Sequence, residues 1–181
     1  REKLLNEGYS FVETLKLLYE KPAVSGSFGA TPGTVKLVMD VIQKRLETTQ
    51  KDQLIYEAGV GMGYAIRNIV EMPGIQYYGC DVALFPEVAE LCKTYSNLHL
   101  HERNLYMDLL DMDNHSIDVF YADNVIEHLI PDEIDRIFRV LYKKMKRKGN
   151  LILFIPNWHN GPHDVSMYYT KKGTRATGFH F

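Results

Sequence analysis

The stretch Leu54-Ile55-Tyr56-Glu57-Ala58-Gly59-Val60-Gly61-Met62-Gly63-Tyr64 constrains this chain more than any other. It opens on a short apolar run, which reads as a buried strand. Three glycines follow at alternate positions, and Ala65-Ile66-Arg67-Asn68-Ile69-Val70 then starts a helical pattern. Strand, glycine turn and helix form the first half of a nucleotide-binding α/β unit. Glycine suits such a turn because it reaches positive φ at no steric cost and lets a ligand approach the backbone.

Spacing separates two uses of this geometry. A dinucleotide-binding turn reads G-x-G-x-x-G, its last small residue packing helix against strand. Here that position is Tyr64, too bulky for the purpose. The spacing present is Glu57-x-Gly59-x-Gly61-x-Gly63. It resembles motif I of the class I, Rossmann-like S-adenosylmethionine (SAM)-dependent methyltransferases. The resemblance implies SAM as cofactor, with Gly59, Gly61 and Gly63 shaping the turn and Glu57 engaging the methionine end, directly or through water. A carboxylate facing an ammonium makes a charge-assisted hydrogen bond. A pyrophosphate gains nothing from an anion there.

Later segments extend the pattern. Ile75 to Asp81 reads as a second strand ending in an acid, which can accept both ribose hydroxyls of a nucleoside. The resemblance puts the SAM ribose at Asp81, with Val82 beside it. Pro86 to Tyr95 reads as a helix, and Leu98 to Glu102 alternates as a third strand. In the family an acidic or polar residue then bonds the adenine amine. This chain offers Asn104, which can accept that bond, next to Leu105; Asp108 is a competitor. Ile117 to Ala122 is the fourth strand. The following Asp123-Asn124-Val125-Ile126-Glu127-His128-Leu129 resembles the family's post-strand segment, which commonly ends in Glu-His-Leu. Ligands of open parallel sheets sit beyond the carboxyl ends of strands, so Asp123 and Asn124 belong at the crevice. Asp123 and His128 are the candidate general bases. His128 can equally be structural, and Glu127 can equally cap or orient.

Pro131-Asp132-Glu133 opens a helix whose buried face is Ile134, Ile137, Phe138, Leu141 and Met145. Lys143, Lys144, Lys146, Arg147 and Lys148 close it and Gly149 stops it, an order that complements the helix dipole. The basic run is therefore explained without nucleic acid. Leu151 to Ile155 is the fifth strand, and Ile155-Pro156-Asn157 again resembles the family. Upstream, residues 4–21 show helical spacing, and Thr31-Pro32 reads as the cap of a second helix with a stripe of Leu37, Val38, Val41, Ile42 and Leu46. In the family such a segment often covers the cofactor, so Phe28 and Thr31 are candidate contacts. Residues 158–181 lose periodicity and read as a loop or lid. His159 and His163 are separated by Asn160-Gly161-Pro162, so no metal is expected.

The expected fold is α/β: a doubly wound, mainly parallel sheet with helices on both faces. The family adds a further helix and two strands, for which too little chain follows Ile155, so the usual seven-stranded sheet is expected to be abbreviated or cut short. The chain is expected to be one domain over residues 1–181, with an N-terminal helical segment (1–50), a cofactor-binding core (54–157) and the final loop. Beginning with Arg1, it is expected to be trimmed or a fragment. A net charge of −2 points to neither nucleic acid nor anionic membrane, and no apolar run reaches membrane-spanning length. Cys80 and Cys92 form no C-x-x-C and fit a reducing, cytoplasmic compartment. The implied activity is methyl transfer from SAM to an acceptor, a small molecule being favoured because the Glu-His-Leu segment is common in such enzymes. The alternatives are a non-catalytic SAM-binding regulatory subunit, a methyltransferase acting on protein or RNA, and a nicotinamide-dependent oxidoreductase, which Tyr64 and Glu57 disfavour.

Overall fold

The computed structural model describes residues 30–129 and 131–155. Helix α1 (Pro32–Thr49) starts where the sequence places it. Thr31 and Thr34 form a reciprocal capping box, Pro32 sits in the first turn, and Gln50 ends the helix in a left-handed conformation. Strand β1 (Gln53–Ala58) follows, then the glycine turn and α2 (Tyr64–Ile69). Next come β2 (Ile75–Asp81), two short helices α3 (Pro86–Ala89) and α4 (Leu91–Thr94), and β3 (Leu98–Glu102). Helix α5 (Leu105–Asp111), β4 (Ile117–Asp123), a 3-10 turn (Ile126–His128), α6 (Pro131–Lys144) and β5 (Met145–Phe154) complete the described chain.

The five strands form one parallel sheet in the order β3-β2-β1-β4-β5. Chain order runs outward in one direction from β1 and in the other from β4, so the switch point lies between these two strands. Both are almost wholly buried, which is why they read as near-continuous apolar runs. On one face α1 and α2 cover Ile55, Val60, Tyr77, Val119 and Tyr121 through Val35, Val38, Ile42, Ala65, Ile66 and Ile69. On the other, α5 and α6 cover Tyr56, Ala58, Phe120 and Ala122 through Leu105, Leu109, Ile137 and Leu141. Tyr56 and Phe120 stack there with ring centroids 5.5 Å apart.

Three elements differ from the sequence reading. The single helix expected from Pro86 to Tyr95 is split at Glu90, where the Lys93 N–H bonds the carbonyl three residues back. Leu37, expected in the buried stripe of α1, is 57% exposed. The third difference is larger. The last helix stops at Lys144, so Met145 opens β5, and Gly149 lies inside a strand bulge. Ile117 pairs with Met145 but Val119 pairs with Asn150, so residues 146–149 loop out opposite Asp118 alone. The cause is the Asp118 carboxylate, buried near the start of β4. Lys146 reaches it at 2.6 Å, Arg45 of α1 at 2.9 Å, and the Leu54 N–H donates to it. A buried acid needs such partners, and they draw the basic run off the helix and into the sheet.

Candidate active site

The site is built at the carboxyl ends of β1, β2 and β4. Gly59, Gly61 and Gly63 all have positive φ (73°, 48° and 69°), which explains their choice. The turn is fastened at several points. The Gly59 N–H donates to the Cys80 carbonyl at 2.8 Å, the Gly63 N–H to the Val60 carbonyl at 2.9 Å, and the Arg67 guanidinium to the Met62 carbonyl at 2.6 Å. Tyr64 is exposed and takes no part in packing α2 against the sheet, which falls to Ala65, Ile66 and Ile69. Gly79 in β2 contributes from the side: a Cβ there would lie 2.6 Å from Val60 Cγ1. Its lack of a side chain lets the turn sit down on the sheet.

Three carboxylates stand around this turn. Glu57, at the end of β1, is 2% exposed. Its Oε2 accepts a 2.6 Å bond from the Tyr77 hydroxyl, which lies 2.5 Å from the Tyr121 hydroxyl. Burial pushes the Glu57 carboxyl up to about 8, the two phenols pull the other way, and Asp81 and Asp123 push it further up. Asp81 ends β2. Its Oδ2 accepts from the Gly61 N–H at 3.0 Å and its Oδ1 from the Ala83 N–H at 3.3 Å. Burial raises its carboxyl too, against the pull of those backbone donors. A carboxylate has about four acceptor sites, so Asp81 can hold the turn and still accept from a ligand. Val82, just after it, is half-buried.

Asp123 ends β4, 5% exposed and raised by burial against a weaker opposing pull from Thr34 and the Thr31 backbone. Its Oδ1 accepts from the Asn124 side-chain amide at 2.8 Å, while Oδ2 is buried with no hydrogen-bond partner among the described residues. Asn124 has φ +55°, a conformation Asn tolerates, and its own N–H bonds the Phe154 carbonyl. Val125 then lies against the turn: a Cβ on Gly59 would be 2.4 Å from its Cγ2. His128 closes the 3-10 turn, half-buried, with its N–H on the Val125 carbonyl.

The remaining sequence-derived residues stand at the start of α5 and along it. Asn104 caps α5, its side-chain oxygen accepting from the Tyr106 N–H at 2.9 Å, and a second lone pair stays available. It also lines a groove between α5 and α6 with Tyr106, Leu129, Glu133, Arg136 and Ile137. Leu105 is buried in the core of the α5 and α6 face. Asp108 is buried, its two oxygens held by the Tyr56 hydroxyl at 2.6 Å and His101 Nδ1 at 2.7 Å. The expectations for residues 4–21, Phe28, and Pro156 to Phe181, including His159 and His163, lie outside the described residues. Among the described residues no His, Cys, Asp or Glu side chains are grouped to ligate a metal, and no helix is long and apolar enough to cross a membrane. The pairing of Tyr77 and Tyr121 with Glu57, the seat of Val125 and the place of Thr34 are absent from the sequence reading. A phenol inside an apolar strand run was the one available signal.

Buried acids and a backbone cradle thus meet at one edge of the sheet. The profile of a family described as methyltransferase domain matches residues 56–153, from β1 to the end of β5. Among solved structures, the fold is similar to that of Burkholderia thailandensis 1,6-didemethyltoxoflavin-N1-methyltransferase with bound 1,6-didemethyltoxoflavin and S-adenosylhomocysteine. The identity is 13% and the TM-score 0.50, over 71% of this chain and 66% of that one. Haemonchus contortus phosphoethanolamine N-methyltransferase 2 in complex with S-adenosyl-L-methionine is similar at 19% identity and a TM-score of 0.54, over 78% of this chain and 31% of that one. The [4+2]-cyclase SpnF is similar at 17% identity and a TM-score of 0.53, over 72% and 48%. The chain thus spans between 31% and 66% of the length of these structures. No curated protein matches it in sequence.

Proposed function

The chain belongs to the methyltransferase-domain family, and from that premise we propose that it transfers a methyl group from SAM to a small-molecule acceptor. One observation carries the reading: three positive-φ glycines and three buried or half-buried carboxylates, Glu57, Asp81 and Asp123, lie at the carboxyl ends of β1, β2 and β4, beside the switch point. SAM has an ammonium, a sulfonium and a ribose, and this set of acceptor carboxylates suits all three. A pyrophosphate would face only anions.

When bound, SAM supplies a methyl group already activated for displacement. The protein's part is to bind, align and exclude water. Glu57 takes the ammonium. Asp81 takes the ribose hydroxyls with the acceptor sites that Gly61 and Ala83 leave, and Val82 and Leu105 flank the base. Asn104 accepts from the adenine amine. Asn124 fixes Asp123, which takes the acceptor's proton where one must be lost. His128, on the turn just beyond, is the second candidate for that role. Alignment of two reactants can contribute roughly 7–11 kcal/mol, so the chemistry needs little else from the chain.

The small-molecule reading is supported by the relatives named for a didemethyltoxoflavin and a phosphoethanolamine acceptor, and by a net charge of −2 that offers no general pull on nucleic acid. Cys80 and Cys92 are free thiols, in keeping with a reducing cytoplasm. A second reading has its own support. SpnF shares the fold and is named for a cyclisation, and a fold does not fix a reaction. SAM binding without methyl transfer is that reading.

Thermal shift with SAM, S-adenosylhomocysteine (SAH) and NAD separates the cofactors, and stabilisation by NAD alone would overturn both readings. Methyl-labelled SAM is then offered with amines, phosphorylated amines and nitrogen heterocycles, and with RNA and protein. Acceptor-dependent SAH formation with a small molecule supports the proposal. Labelling of RNA or protein alone contradicts the acceptor class, and tight SAM binding with no transfer favours the second reading.

A further inference from the structure

Tyr77 and Tyr121 are 0% and 1% exposed, on the face of the sheet covered by α1 and α2. They come from different strands. In register Tyr77 neighbours Ile55, and Tyr121 neighbours Glu57. The other buried members of that cluster are aliphatic: Val35, Val38, Ile42, Ile66, Ile69 and Val119 among others. Phe would fill the same space without a hydroxyl that costs free energy to bury. Burying two hydroxyls therefore calls for a reason beyond packing. Their hydrogen bonds supply one. Tyr77 has a single proton and gives it to Glu57 Oε2. With Glu57 ionised, Tyr77 donates to its Oε2, Tyr121 donates in the 2.5 Å contact between the phenols, and both phenols bear on the one carboxylate.

We propose that Tyr77 and Tyr121 are positioning residues for Glu57: they hold Oε2 from inside the sheet so that Oε1 is presented to the cofactor's ammonium. This rests on the reading of Glu57 given above and adds to it the source of the carboxylate's orientation. A carboxylate already fixed by two phenols loses less conformational freedom on binding than a mobile one. The other titratable groups acting on Glu57 are Asp81 from β2 and Asp123 from β4. Helix α1 presents Val35, Val38 and Ile42 to the same cluster. The phenols are the donors that favour an ionised Glu57 among those neighbouring acids.

The test is calorimetric titration of the full chain with two probes. SAH carries the ammonium, and 5′-methylthioadenosine has the same nucleoside without it. Tyr77→Phe is expected to weaken SAH by roughly tenfold, the scale of one hydrogen bond to a charged group, and 5′-methylthioadenosine by no more than about twofold. In a Glu57→Gln background the same change should alter SAH affinity by no more than about twofold, because contacting residues that act through one another are not additive. Tyr121→Phe should act in the same direction and serves as the second variant should Tyr77→Phe fail to fold, which circular dichroism reports. Equal weakening of both probes, additivity with Glu57→Gln, or no effect in either Phe variant would overturn the proposal. If Glu57→Gln itself fails to discriminate the probes, the reading of Glu57 falls with it. A discriminating Glu57→Gln beside silent Phe variants overturns the positioning role alone.

Discussion

Replacing Glu57 with Gln should change how the stability of the ligand-free protein depends on pH. The folded carboxyl is pushed up to about 8 from an ordinary 4.5, chiefly by burial. Between those values the folded chain keeps a proton that the unfolded chain has released. Stability must then fall as pH rises from 4.5 to 8, by up to about 1.4 kcal/mol per pH unit, and level off above. The window sets a ceiling of about 5 kcal/mol for this one group. Asp81 and Asp123 are shifted in the same direction, so both proteins should slope downward, the wild type more steeply. Gln is nearly isosteric with the protonated acid. The two should therefore differ by only about 1.4 kcal/mol near pH 5.5, while near pH 8.5 the Gln variant should be the more stable by a few kcal/mol. Saturating SAH should narrow the gap near pH 8.5, because an ionised Glu57 then has the ammonium as partner; a ligand at a hundred times its Kd contributes about 2.7 kcal/mol. Urea unfolding at pH 5.5, 7 and 8.5, with and without SAH, measures all of this. Parallel pH dependences for the two ligand-free proteins would refute the reasoning.

The other predictions concern single contacts. Arg45→Met removes one of the two cations on the buried Asp118 carboxylate and should cost about 3–5 kcal/mol in urea unfolding; a loss below about 1 kcal/mol would show that Lys146 alone suffices. Gly59→Ala forces a Cβ to within 2.4 Å of Val125 Cγ2 at φ +73° and should cost about 1–3 kcal/mol or more. Val125→Ala should recover the steric part and not the backbone part, so complete recovery, like no loss at all, would contradict the geometry. Asp81→Ala frees the Gly61 and Ala83 N–H groups and should weaken SAH by about 1.5–3 kcal/mol by calorimetry; an effect within error would put the ribose elsewhere.

What the sequence discloses here follows from which interactions are local. The glycine turn, the Thr31-Pro32 cap and the limits of β2 and β3 depend on residues within a few positions of one another, and all are as read. The acids at the strand ends were legible because a parallel sheet brings its carboxyl ends to one edge. The errors arise where a distant partner decides. Lys146 to Gly149 carry a sound helix-ending pattern, and Asp118 in a neighbouring strand overrides it. Asp108 is held by Tyr56 and His101, partners 52 and 7 residues away that no local pattern announces. Tyr77 and Tyr121 read only as members of their strands, because only the register across β2, β1 and β4 puts their hydroxyls beside Glu57.

Soaking crystals of the full chain with SAH bears most directly on the central claim. Density should fill the crevice beyond β1 and β4, with the ammonium within hydrogen-bonding distance of Glu57 and the ribose on Asp81. A ligand seated elsewhere at saturating concentration, or an empty crevice above the glycine turn, would contradict the account.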